Sequence, residues 1–354
     1  MEGVLKGRGA TINPAGRFAS TRQQAVDDGW YQEATPDSIA TEVRPEAART
    51  LISHNDSPDI PFAQSINPYR GCEHGCVYCY ARPSHAYVDL SPGIDFETRL
   101  FYKADAARLL RAELARPAYR PQPIMLGANT DPYQPVEKQL RVTRDILEVL
   151  WQARHPVTII TKGAMVLRDL DLLQDLARLN LVRVTVSLTT LDPELKRTLE
   201  PRAASPQARL RVIAALAQAG VPVGVLTAPM IPAVNDAELE SLLEAAATAG
   251  ATRAGYVLLR LPHEVKDLFR AWLEQHLPLR AAHVMSLVQQ ARGGRDNDPR
   301  FGHRMPGAGP WAAMLRARFE LARKRLGLDG SREPDLDLSR FCRPQGSGQM
   351  DLLL

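Results

Sequence analysis

Between residues 120 and 261 the chain alternates two hydrophobic patterns. The first is a set of short apolar, often β-branched runs: PIMLGAN (123–129), VTIITK (157–162), VRVTVSLTT (182–190), PVGVLTAPMI (222–231) and TRAGYVLLRL (252–261). The second recurs between them, with apolar residues every three or four positions. It predicts helices over Val136–Ala153, 168–180, Pro206–Ala219 (stopped by Gly220) and Asp236–Ala249. Strands separated by amphipathic helices imply right-handed βαβ units and a parallel sheet. With one more strand before residue 72, the pattern predicts an α/β fold of six units, an open (βα)6 version of the eight-unit TIM barrel. Chemistry in such folds sits on loops at the C-terminal ends of the strands.

The flanks read differently. Residues 1–60, which include Asp27-Asp28-Gly29-Trp30, have no period of 3.6 or 2 and are expected to be an irregular extension. The core is expected over 61–264. Residues 265–330 read as a helical, arginine-rich region, with ten Arg and Lys against three Asp and Glu from Arg280 to Arg325. Its basic face is either simply solvated or a positively charged lid gripping a phosphate-bearing substrate. Residues 331–354 read as a polar, at best partly ordered tail.

Composition narrows this only a little. A chain of 354 residues, 45% hydrophobic and 24% charged, is an ordinary globular protein. A net charge of +4 permits an anionic substrate without demanding one. No apolar run is long enough for a membrane span, and the N-terminus lacks a signal-peptide stretch. The four cysteines form no disulfide framework, which fits a reducing, cytoplasmic setting.

Three of those cysteines carry the chemistry. Cys72, Cys76 and Cys79 stand as C-x3-C-x2-C between Gly71, Gly75 and Pro68. Packing cysteines scatter; three in one glycine-bearing loop are metal or cluster ligands. A structural zinc site needs a fourth ligand, from His74, His85 or the distant Cys342. An ordinary [4Fe–4S] carrier also needs four cysteines. Three leave one iron open, as in sites kept for chemistry, so iron–sulfur is the favoured reading and zinc its rival. Dispersed His263, His276, His283 and His303 lack the spacing of a histidine metal site.

The loop Asn67-Pro-Tyr-Arg-Gly-Cys-Glu-His-Gly-Cys-Val-Tyr-Cys-Tyr-Ala-Arg82, with Tyr78 just before the last cysteine, resembles the signature of the radical S-adenosylmethionine (SAM) superfamily. Its wording is similar to the branch of spore photoproduct lyase and photolyase-like DNA repair proteins, over residues 60 to 265. The resemblance implies a [4Fe–4S] cluster held by Cys72, Cys76 and Cys79, SAM on the open iron, and a reductant such as flavodoxin or ferredoxin. It implies a 5′-deoxyadenosyl radical that abstracts hydrogen from substrate. It also points to SAM-binding positions, each with a plainer structural alternative. Asp131 or Glu137, in the stretch 129–137, stands near the SAM amino group or merely starts a helix. Ser187 and Arg209, and more weakly Arg202 and Lys162, face the SAM ribose and carboxylate or make ion pairs with Glu200. Met230 and Tyr256 line adenine or pack in the core, and Asn235-Asp236 is expected to cap a helix. Cys342 reads as an incidental thiol, which sets the chain apart from a lyase that uses a cysteine as hydrogen donor. Three functions follow: a radical SAM enzyme on an unknown substrate, a DNA lesion lyase of the spore photoproduct type, or a non-catalytic zinc or iron–sulfur module.

Overall fold

The computed structural model describes residues 6–18, 39–331 and 333–345. The Asp27–Trp30 stretch lies outside them. Ten strands occur among the described residues: β1 (Glu42–Pro45), β2 (Ser53–His54), β3 (Gln64–Ile66), β4 (Tyr69–Arg70), β5 (Arg99–Tyr102), β6 (Ile124–Leu126), β7 (Val157–Thr161), β8 (Val182–Ser187), β9 (Val223–Met230) and β10 (Arg253–Leu258). The main sheet runs β10-β9-β8-β7-β6-β3-β2. Every pair from β3 to β10 is parallel, and β2 joins β3 antiparallel at the edge. All five expected strands and the one inferred before the cysteines therefore lie side by side in chain order.

Period 2 is clearest in β7 and β8. In β7, Val157, Ile159 and Thr161 are buried while Thr158 and Ile160 are half-buried. The buried residues belong to one large cluster with the apolar stripes of helices Val142–Gln152, Leu170–Arg178, Pro206–Gln218 and Leu239–Thr248. The first expected helix is interrupted. Arg141 takes a left-handed conformation (φ 55°) between Glu137–Leu140 and Val142–Gln152, because Thr143 turns its N–H onto the Glu137 carboxylate. Asn235 makes no cap bond. Its carboxamide accepts from Ile231 N–H and donates to the Thr189 and Pro229 carbonyls, bracing the ends of β8 and β9.

The N-terminal region is more regular than its sequence suggests. β1, β5 and β4 form a second, three-stranded sheet, with β1 parallel and β4 antiparallel to β5. Four or fewer residues per strand leave no readable alternation, so these pairings are invisible from sequence.

Helices Val265–His276 and Ala281–Ala291 do more than present arginines to water. Val265, Leu268, Phe269, Trp272, Val284 and Val288 form a second core that includes Cys76, Val77 and Tyr78. Helix Gly309–Arg325 packs on Leu239–Thr248, where Arg318 and Arg325 bond Glu240 and Glu244.

Part of the C-terminal segment is tied to the fold. Residues 328–331 and 333–343 run past the N-terminal ends of the strands. Ala254 N–H donates to Leu328 O (2.9 Å), Asp337 N–H to Asn180 O (2.9 Å) and Cys342 N–H to Ala153 O (2.8 Å). Glu333 accepts from Arg183 and Arg253, and Phe341 packs on Tyr119 and His155. Among the described residues no helix is long and apolar enough to cross a membrane.

Candidate functional site

The cysteine loop follows β3 and lies at the C-terminal ends of the parallel strands. Its path needs two left-handed glycines, Gly71 (φ 78°) and Gly75 (φ 67°). A Cβ on Gly71 would lie 2.9 Å from Phe96 O, and one on Gly75 would lie 2.7 Å from the Glu97 carboxylate. Polar side chains fasten the backbone. Gln134 is fully buried; it accepts from Glu73 N–H (2.9 Å) and donates to Gly71 O (3.2 Å). Asn67 accepts from Asn129 N–H (2.8 Å), and Thr130 donates to Tyr69 O (2.7 Å). Arg82 is fully buried, donating to Cys76 O (2.8 Å) and Gly75 O (3.2 Å) and pairing with buried Glu97. Arg202 pairs with Glu73 (3.0 Å).

Cys72 and Cys76 are buried, Cys79 is half-buried and Cys342 is exposed. Burial pushes all three loop thiols up. Cys72 is raised furthest, with Asp131 and the other two thiols adding to burial; Cys76 reaches about 12, with Glu200 adding; Arg82 opposes the rise at Cys79. These thiols thus stay protonated until a metal displaces the protons. Among the described residues no three His, Cys, Asp or Glu side chains converge into a ready metal cage. The thiols are instead neighbours that feel one another's charge, on a loop whose backbone is pinned at several points. Cys342 lies past the opposite ends of the strands, bonded to Ala153, so the loop has no fourth thiol. Three soft donors without a fourth fit a cluster with one open iron better than a closed zinc tetrahedron.

Three of the sequence-predicted cofactor residues meet beside this loop. Tyr78 donates to Glu200, whose other oxygen takes the Arg209 guanidinium. Arg209 also donates to Ser187 O (2.9 Å) and Ala204 O (2.9 Å), so all three of its nitrogens are engaged. Lys162, just past β7, donates to Ser187 Oγ (2.9 Å) and stands 4.0 Å from Glu200. Thr189 donates to Glu200 (2.6 Å). Burial alone would raise Glu200; Arg209, Lys162, Thr189 and Tyr78 outweigh it and bring its carboxyl down to about 2. Burial and the nearby Cys76 and Glu200 push the Tyr78 phenol well up, so it stays a donor. Glu200 is the hub, and the Glu-Pro-x7-Arg spacing in the sequence was its signal.

Asp131 lies on another side of the loop. It accepts from Tyr133 N–H (2.8 Å), Thr161 (2.7 Å) and Lys162 N–H (2.7 Å), and sits 3.3 Å from His74. Burial would raise it, but the His74 imidazole and the donors from Lys162 and Thr161 bring it to about 2. Glu137 shares no partner with the Glu200 group. It is fully buried and engaged by Tyr69, Thr143 N–H (3.0 Å) and Arg168 (2.6 Å). Met230 is buried in the core, and Tyr256 packs on Phe319 (4.6 Å). Sequence reasoning missed Glu97, Arg82 and Gln134 as braces: Glu97 and Gln134 bond residues about 60 to 90 positions away, and Arg82 bonds backbone carbonyls, which no side-chain pattern reveals.

A family model for the Radical SAM superfamily matches residues 66–246, just over half the chain. The uncharacterized protein Rv2578c of Mycobacterium tuberculosis is 41% identical over 221 residues, 62% of this chain and 65% of that one. The uncharacterized protein MJ0683 of Methanocaldococcus jannaschii is 27% identical over 173 residues, 49% of this chain and 62% of that one. The chain thus spans just under two thirds of these relatives' length. Among solved structures, spore photoproduct lyase complexed with dinucleoside spore photoproduct aligns at a TM-score of 0.56 over 80% of this chain and 79% of that one. At 16% identity that likeness is one of fold.

Proposed function

The chain belongs to the radical SAM superfamily, and on that premise we propose that it is an enzyme that abstracts hydrogen from its substrate by way of SAM. Superfamily members are enzymes that use a [4Fe–4S] cluster and SAM. When bound, that pair supplies an electron and a 5′-deoxyadenosyl group as a radical. We take β3 and β6 to β10 as the open (βα)6 barrel and residues 61–264 as the unit that carries the chemistry. Cys72, Cys76 and Cys79 hold the cluster, and the absence of a fourth thiol leaves one iron for SAM. The observation that carries this reading is the position of the three-thiol loop, past the first parallel strand and against the Glu200 group.

The chain's own residues then bind and orient. Lys162, which donates to Ser187 and keeps donors to spare, would hold the SAM carboxylate, and Ser187 would hold the ribose. Arg209 acts by holding Glu200 and the Ser187 carbonyl, and Tyr78 by tying the loop to that group. Asp131 and Glu137 have their oxygens filled by protein donors, so they position the loop rather than grip SAM. An external reductant such as flavodoxin or ferredoxin would supply the electron. The test is 5′-deoxyadenosine release from SAM by anaerobically reconstituted, dithionite-reduced protein. Release is expected from wild type and none from Cys76→Ala; no release from protein with a full cluster, with DNA, RNA and peptide pools present, would overturn the reading.

One observation favours nucleic acid as substrate, the lesion-lyase alternative. Exposed Tyr80 lies 5.5 Å from the Arg260 guanidinium, Arg260 feels the charge of Arg304, and Arg304 lies 4.7 Å from exposed Phe301. Among the described residues Arg260 Nε is buried without a partner. Such alternation of aromatic and cationic groups suits unstacked bases and their phosphates. Arg318, Arg323 and Arg325 of the C-terminal helix are paired with Glu240, Glu320 and Glu244, and Arg304 with Asp59, which leaves Arg260 as the cation of this surface without a carboxylate partner among the described residues. Arg260→Ala should weaken oligonucleotide binding and lower the salt slope by about 1.

A further inference from the structure

Residues 8–14 cross the cysteine loop at Gly75, beside Pro201, and several of their polar groups bond the residues that brace it. Gly9 N–H and Ala10 N–H donate to the two oxygens of Glu97 (2.9 and 2.8 Å). Arg8, buried, donates to Glu97 O (2.9 Å), Ile39 O (2.6 Å) and Thr41 (3.0 Å), and Thr41 in turn donates to Glu73 inside the loop. Glu97 passes the connection to Arg82, and Arg82 to the Cys76 and Gly75 carbonyls. Ala10 packs in the same apolar cluster as Cys76, Val77 and Tyr78. A Cβ on Gly9 would collide with the Gly75 carbonyl. Further along, Asn13 accepts from Ile94 N–H (2.7 Å), which anchors the segment.

We propose that the Arg8-Gly9-Ala10 segment is a positioning element of the cysteine loop, acting through Glu97 and Arg82 to hold the loop in shape and keep water from Cys76. The three donors to the buried Glu97 carboxylate all come from this segment or from Arg82. The proposal builds on the three cysteines as cluster ligands, but its test does not depend on the cluster.

In cluster-free protein, iodoacetamide labelling followed by mass spectrometry reads each thiol separately. Wild type should label exposed Cys342 quickly and Cys76 slowly. Gly9→Val and Arg8→Ala should each label Cys76 at least tenfold faster, with Cys342 unchanged. Arg318→Ala, on the C-terminal helix, controls for general loosening and should leave Cys76 slow. Equal Cys76 rates in wild type and both segment variants, or an equal rise in Arg318→Ala, would overturn the proposal. Iron bound after reconstitution of wild type reports separately on whether the cysteines take a cluster.

Discussion

At the scale of single residues, the buried charges depend on one another. Glu200 and Arg209 are both almost fully shielded, and such pairs add little over an apolar pair but cost heavily when one partner goes. Arg209→Ala should therefore lower stability by about 3–5 kcal/mol. It should also weaken SAM binding, because Ser187 and Glu200 lose the fork between them. Calorimetric unfolding and SAM titration, run side by side, check the two effects. The cysteines, Ser187, Glu200 and Arg209 were legible because each stands in a short motif or at a strand end. Glu97 was not: a glutamate in Asp95-Phe-Glu-Thr98 has no pattern of its own, and its meaning comes from residue 9 and residue 82.

At the scale of elements, the long periodic strands and helices were readable and the short pieces were not. β7 to β10 are long enough for their apolar, often β-branched runs to show between the helical periods. β1, β4 and β5 exist only through pairing with one another. The arginines of 265–325 mark a polar face, and Phe269 and Trp272, three positions apart on the same helix, mark the buried one. Fully buried Trp272, stacked on Phe269 and donating to Thr198 O (3.1 Å), supports the floor beneath Val77 and Tyr78. Trp272→Ala should cost about 3–5 kcal/mol. It should also lower iron retention in air relative to an equally destabilising change in the large core, such as Leu147→Ala. Iron assays at matched temperatures below unfolding separate the two.

At the scale of the whole molecule, acid should act in two stages. His85 and His155 are kept neutral by burial, with their pKa pushed down to about 4 from an ordinary 6.5. Their contribution is complete above the ordinary value and is lost as pH falls through about 4, at roughly 3 kcal/mol each. Asp131 and Glu200, both near 2, keep theirs to lower pH and lose it only as pH falls toward that value. The melting temperature of cluster-free protein should be level from about pH 7 to 8, decline below about 6.5, and decline again above about 9, where the unfolded chain's thiols ionise and the buried ones do not. His155→Gln, which can still bond Tyr119, should make that first decline shallower. The tail gives the fold a mechanical grain. Its bonds to Arg253, Arg183, Asn180 and Ala153 come one after another along the chain. A pull from the C-terminal side loads Cys342, then Asp337, then the doubly bonded Glu333, like a zip opened from its end, and so works at the strand ends opposite the cysteine loop.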